Sequence, residues 1–114
     1  MRNSAVEFKH GKLIAGEVNY IHRVKAGAGT YNVGDVLETS DGLTYAKATA
    51  DASMSKEYCV VAEAVTLEKT GEVVCYKEGY FNKNVAKINN TTATDNSIEV
   101  LKTKRIFITT VKED

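Results

Sequence analysis

Lys25-Ala-Gly-Ala-Gly-Thr-Tyr-Asn-Val-Gly-Asp-Val-Leu-Glu-Thr-Ser-Asp-Gly-Leu-Thr-Tyr-Ala-Lys-Ala48 is the stretch whose reading decides the fold. It reads as turn, turn, strand, tight turn, strand. Asp41-Gly42 lies between two β-prone runs, and this dipeptide suits a two-residue type I′ hairpin turn because both central residues there take positive φ. Such a turn sets Ser40 opposite Leu43, Thr39 opposite Thr44, Glu38 opposite Tyr45 and Leu37 opposite Ala46. Leu37 and Ala46 then share a face with the Thr39–Thr44 pair, while Glu38 and Tyr45 take the other face. Nothing in the hairpin looks catalytic; it is a scaffold.

Immediately upstream, Ala26-Gly-Ala-Gly29 invites comparison with a phosphate loop. A P-loop ends in Gly-Lys-Ser/Thr and opens a helix, and the dinucleotide fingerprint needs a third glycine. Here Thr30-Tyr-Asn-Val33 follows, so these glycines are turn residues. Residues 18–25 alternate, with Val18, Tyr20, His22 and Val24 on one face, and they read as a strand. Residues 1–12 carry only Val6 and Phe8 as alternating apolar anchors. That pattern suits either a first strand or an arm that orders on a partner, and Leu13-Ile-Ala-Gly16 marks where the chain enters the body.

Downstream, residues 49–56 are a small, polar loop. Residues 58–67 form a longer β run, broken or bent around Glu63, and Glu68-Lys-Thr-Gly71 turns the chain into a strand at 72–77. These adjacent strands make a second hairpin that places Cys59 and Cys75 in the core. Gly79-Tyr-Phe81 opens another excursion, Val85-Ala-Lys-Ile88 is a short strand, and residues 89–96 are an Asn/Thr loop. The period then changes: Thr94 or Asp95 caps a short helix with Ile98 and Leu101 on one face. A terminal strand over 105–111 faces Ile106 and Ile108 one way and Phe107 the other. The whole is mainly β with one short C-terminal helix, a small β-barrel or β-sandwich-like domain over residues 13–114 with an extended N-terminal arm over 1–12.

Fifteen basic residues balance fifteen acidic ones, which argues against an electrostatic nucleic-acid binder. The one basic cluster, Lys102-Thr-Lys-Arg105, reads as a solvated helix end. No apolar run approaches the roughly 20 residues of a membrane span, and no secretory signal follows Met1, so a cytosolic site of synthesis is expected. Cys59 and Cys75 sit in apolar runs as reduced thiols. With His10 and His22 they show no metal-ligand spacing. The serines lack a nucleophile-elbow context, the carboxylates are scattered, and the six tyrosines lack a basic groove to accompany base stacking. No catalytic residue, cofactor or metal site is expected.

Val33-Gly-Asp-Val36 resembles the Gly-Asp turn of biotinyl and lipoyl carrier domains, but Lys56 within Ser53-Met-Ser-Lys-Glu57 lacks the flanks of a modified lysine. A broader match runs through Leu13-Ile-Ala-Gly16, Tyr31-Asn-Val-Gly-Asp-Val-Leu37 and Ser40-Asp-Gly-Leu-Thr-Tyr45. It continues through Val60-Val-Ala-Glu63, Val73-Val-Cys-Tyr76, Ile98-Glu-Val-Leu101 and Arg105-Ile-Phe-Ile108. In order and spacing these segments resemble the head-decoration (capsid cement) proteins of tailed bacteriophages.

That resemblance implies a non-enzymatic β domain, commonly a homotrimer, on the exterior of the expanded capsid, where it stabilises the major capsid protein lattice. It also implies that the N-terminal segment contacts the capsid, here through Ala5, Val6, Glu7 and Phe8 with Leu13 and Ile14. Ordering such an arm costs about 1–2 kcal/mol per residue, while burying Val6 and Phe8 returns only about 1.5–3 kcal/mol each. Strand hydrogen bonds and three arms per trimer would supply the rest. The competing expectations are another virion β domain from tail or baseplate, and a small bacterial carrier or ligand-binding barrel.

Overall fold

The structure is a computed structural model that describes residues 21–110. Five strands close into a barrel in the order β1-β4-β3-β5-β7: β1 (Ile21–Ala26), β3 (Val36–Thr39), β4 (Thr44–Lys47), β5 (Glu57–Val61) and β7 (Gly71–Tyr76). The β1–β7 seam is antiparallel along all of β1, from Ile21 opposite Tyr76 to Ala26 opposite Gly71. Closure on the other side is a short parallel contact, Lys25 with Thr44 and Ala26 with Tyr45. Among the described residues the chain forms the expected mainly-β barrel with one short helix.

Period-2 alternation sorts the barrel residues into two cores. Val24, Ala26, Leu37, Tyr45, Cys59, Val61, Val73 and Cys75 fill the interior. Val36, Tyr58, Val60 and Tyr76 point outward into a second cluster with Phe81, Leu101, Ile106 and Ile108. Strand β5 is therefore buried on both faces, which is why its sequence is an unbroken apolar run rather than an alternating one.

The second core is roofed by a parallel pair, β8 (Gly79–Asn82) and β11 (Ile106–Thr109), and by helix α1 (Asp95–Thr103). Thr94 caps the helix: its hydroxyl accepts from the Ser97 N–H at 3.2 Å. Leu101 is fully buried and Ile98 half-buried, the face that the spacing predicts. At the far end Arg105 takes a left-handed conformation (φ 65°), and its N–H donates to the Lys102 carbonyl, turning the chain into β11. Ile106 and Ile108 face inward as expected, and Phe107 faces out.

Three details depart from the sequence reading. First, the β3–β4 register is one residue off: Leu37 faces Lys47 and Glu38 faces Ala46. Only Gly42 of the turn has positive φ (77°), so the turn is not type I′. The Asp41 Oδ1 atom accepts from the Thr39 hydroxyl (2.9 Å), the Leu43 N–H (2.8 Å) and the Thr44 N–H (3.2 Å), which holds open a longer loop. The slip reverses the faces of β4, so Tyr45 is buried with Leu37 and Thr39 while Ala46 is exposed.

Second, the run over 58–67 breaks around Glu63 as expected, but its two parts take different partners. Its first part, β5, pairs with β7, whereas β6 (Val65–Leu67) bends away to pair with β2 (Gly29–Tyr31). The bend lets Tyr31, Val65 and Leu67 pack on the interior cluster, so the β2–β6 ribbon adds to the core instead of extending a hairpin. Third, the Asn/Thr loop contains a hairpin, β9 (Lys87–Ile88) with β10 (Thr91–Thr92). Asn89 and Asn90 both have positive φ, 54° and 63°, giving the two-residue turn expected at Asp41-Gly42.

Candidate functional site

The arm residues Ala5, Val6, Glu7, Phe8, Leu13 and Ile14 lie outside the described residues, as does the start of the strand expected over 18–25. The body can be read where it meets that segment. β1 begins at Ile21, which is 40% exposed and opposite Tyr76. Burial, with the charge of Glu63 adding to it, pushes the Tyr76 phenol up to about 12, so it stays protonated. Three residues beyond Tyr76 the chain enters β8, whose Tyr80 is 46% exposed and stacks on Phe107 with ring centroids 4.7 Å apart and 19° between planes. An apolar, aromatic surface thus sits on the β8–β11 pair, a few residues along the chain from Tyr76, which faces the start of β1.

β4 and β5 run in the direction of β1, so the Asp41 loop and the loop before β5 sit at the end of the barrel where β1 starts. Leu43, 74% exposed, rides on the loop that Asp41 fixes. Those same hydrogen bonds, from Leu43 first and then Thr44 and Thr39, hold the Asp41 carboxyl below its ordinary range. Met54, 61% exposed, is tied to the end of α1: its carbonyl accepts from Lys104 Nζ at 3.0 Å. Lys104 also pairs with Glu57 at 3.3 Å, and Lys102 with Glu99 at 3.2 Å. The basic cluster is thus largely spent on local ion pairs at the helix end.

A cleft of about 200 Å³ opens where residues 35–36, 47–49, 87 and 89–90 meet. Asp35, on the floor, has a side chain only 9% exposed and accepts the Asn32 N–H at 2.9 Å, with Lys47 Nζ 3.4 Å away. Lys47 also lies 6.0 Å from the Tyr31 ring centroid. No reading of the sequence brought these residues together. The Asn89-Asn90 doublet was the available signal, since adjacent asparagines suit a left-handed turn, but the other walls are distant in sequence.

Cys59 and Cys75 are both fully buried inside the barrel, as expected. A hydrogen bond with Cys75, then burial, pushes the Cys59 thiol well above its ordinary range. Such a thiol is a packing group rather than a nucleophile. His22 is exposed on β1. Among the described residues no group of three or more His, Cys, Asp or Glu side chains is placed to hold a metal ion, and no helix is long and apolar enough to cross a membrane.

These features define a closed five-stranded β-barrel with a helix-capped second core. The chain matches no family model and no curated protein.

Proposed function

We propose that this chain is a capsid decoration protein of a tailed bacteriophage. In this reading it is a non-enzymatic domain that binds the exterior of the expanded head as a homotrimer and stabilises the major capsid protein lattice. The observation that carries the reading is where the resembling segments fall. Tyr31-Asn-Val-Gly-Asp-Val-Leu37, Val60-Val-Ala-Glu63 and Val73-Val-Cys-Tyr76 supply the barrel wall or its ribbon. Ile98-Glu-Val-Leu101 and Arg105-Ile-Phe-Ile108 supply the helix and the strand that roof the second core. Ser40-Asp-Gly-Leu-Thr-Tyr45 falls on the Asp41 loop and residues 32–35 lie between β2 and β3, but the other described segments fall on elements that build the fold, which supports a shared architecture. Contact with the capsid is assigned to residues 5–8 with Leu13 and Ile14, and the exposed Ile21 and Tyr80–Phe107 stack lie on the body beyond that segment.

The test is light scattering of the purified protein with and without empty expanded heads from the same source. The intact chain is expected to add mass to the heads and to raise their resistance to heat. A protein lacking residues 1–12 is expected to keep its β-type circular dichroism and lose coating. Coating retained without residues 1–12 overturns the arm assignment, and an intact chain that never binds expanded heads overturns the function.

A further inference from the structure

We propose that the cleft between Asp35, the end of β4 and the Asn89-Asn90 turn is a binding site for one carboxylate, held by the ammonium groups of Lys47 and Lys87. Its volume, about 200 Å³, is below the roughly 300–1,000 Å³ of pockets that hold drug-sized ligands and cofactors. It suits a group the size of an acidic side chain.

The walls are fixed before any ligand arrives. The Lys87 N–H donates to the Gly34 carbonyl (2.8 Å), the Ala48 N–H to Val36 (2.9 Å) and the Asn89 N–H to Ala48 (3.0 Å), locking three distant segments together. A site held by backbone bonds loses little entropy on binding.

Charge selects the ligand. The cleft is lined by two lysines and one carboxylate, with the remaining lining residues uncharged, a surplus of one positive charge. Asp35 is already engaged through its Oδ2 atom by the Asn32 N–H and Lys47. Lys87 is not so engaged: among the described residues Nζ reaches only the Thr92 hydroxyl, at 3.4 Å, beyond the usual hydrogen-bond range of about 2.7–3.2 Å. Among the described residues Lys87 makes no ion pair. Its ammonium retains donors for an incoming acceptor, and the Asn89 and Asn90 carboxamides at the rim can supply more. A carboxylate monoanion cancels the surplus charge. A phosphate dianion overshoots it and faces the Asp35 carboxylate, so the site favours the monoanion.

The experiment is a titration of the isotopically labelled full chain, followed by amide NMR at neutral pH and low salt. The probes are N-acetylglutamic acid α-amide and, separately, inorganic phosphate. Saturable shifts are expected at Thr49, Lys87, Asn89 and Asn90 with the glutamate probe, with weaker binding of phosphate. Those shifts are expected to vanish in about 1 M salt, where the screening length falls to roughly 3 Å. Lys87→Gln is expected to weaken the glutamate probe about 2–5-fold, as for an exposed ion pair, and Lys87→Arg to retain it. Absent saturable shifts, an unchanged affinity in Lys87→Gln, or tighter binding of phosphate each overturn the proposal. The readout is made on free protein, so it stands or falls separately from coating of heads.

Discussion

At Asn89-Asn90 left-handed backbone makes the reversal: both residues have positive φ, and Ile88 faces Thr91, whose hydroxyl donates to the Ile88 carbonyl at 3.0 Å. At Asp41-Gly42 only the glycine is left-handed, and the Asp41 carboxylate gathers one hydroxyl and two amide donors to close the loop. A left-handed L-residue costs about 1–2 kcal/mol, a cost that Asn bears more readily than most. Asp41 avoids it through local hydrogen bonds, and the loop that results is longer than two residues. The difference propagates: the first solution keeps the simple register, while the second turns Tyr45 into the barrel and Ala46 out of it. Whether a short polar side chain serves its own turn or leaves the turn to φ therefore decides which face of the next strand is buried.

The comparison assumes that conformation, rather than crowding, sets the cost of a side chain at these turns. Gly34 shows what crowding adds, since it too is left-handed (φ 95°) but a Cβ there would sit 2.3 Å from the Val85 carbonyl oxygen. Gly34→Ala is expected to lower unfolding stability by about 3 kcal/mol or more, measured by urea denaturation. A loss no larger than that of Gly42→Ala would break the distinction, because a Cβ at Gly42 meets nothing within 4 Å. Next in size, Gly42→Ala, Asn89→Ala and Asn90→Ala are each expected to cost about 1–2 kcal/mol.

Asp41→Ala is expected to lower Tm by a few degrees while leaving Asn89 and Asn90 unaffected. This effect carries a pH signature. Because hydrogen bonding holds the folded Asp41 carboxyl below its ordinary value of 3.8, its contribution is complete above that value and is lost as pH falls through the lower folded value. The Tm gap between the native chain and Asp41→Ala should close in strong acid; a gap constant with pH would remove the carboxylate from the account. The smallest effect is expected for Asn90→Gly, within about 0.5 kcal/mol of the native chain, because glycine adopts the same conformation without a Cβ.

Legibility followed the range of the interactions. Runs such as Tyr58-Cys-Val-Val-Ala62 announce a strand in the core, and Thr94 with Ile98 and Leu101 announces a capped helix, because those signals lie within one element. The β3–β4 register was not legible: counting by twos requires knowing how Asp41 spends its oxygen. The parallel pairing of β8 with β11, and the antiparallel pairing of β2 with β6 across more than thirty residues, depend on which apolar faces the finished barrel leaves uncovered. The cleft around Asp35 was hidden for the same reason, since Lys47 and Lys87 meet only after the segments that carry them have been hydrogen-bonded together. Period and composition say nothing about that meeting.

The β1–β7 seam has a consequence for how the protein is made. β1 leaves the ribosome first, yet its long antiparallel partner is residues 71–76, and its parallel contact with β4 spans only two residue pairs. Most of β1 must therefore wait, with Val24 and Ala26 unburied, until β7 has been synthesised. Domains fold as units once their chain is available, and pairing across so long a loop is slow. Truncated nascent chains that stop before Gly71 should be protease-sensitive and prone to capture by chaperones, whereas chains that continue past the second core should not.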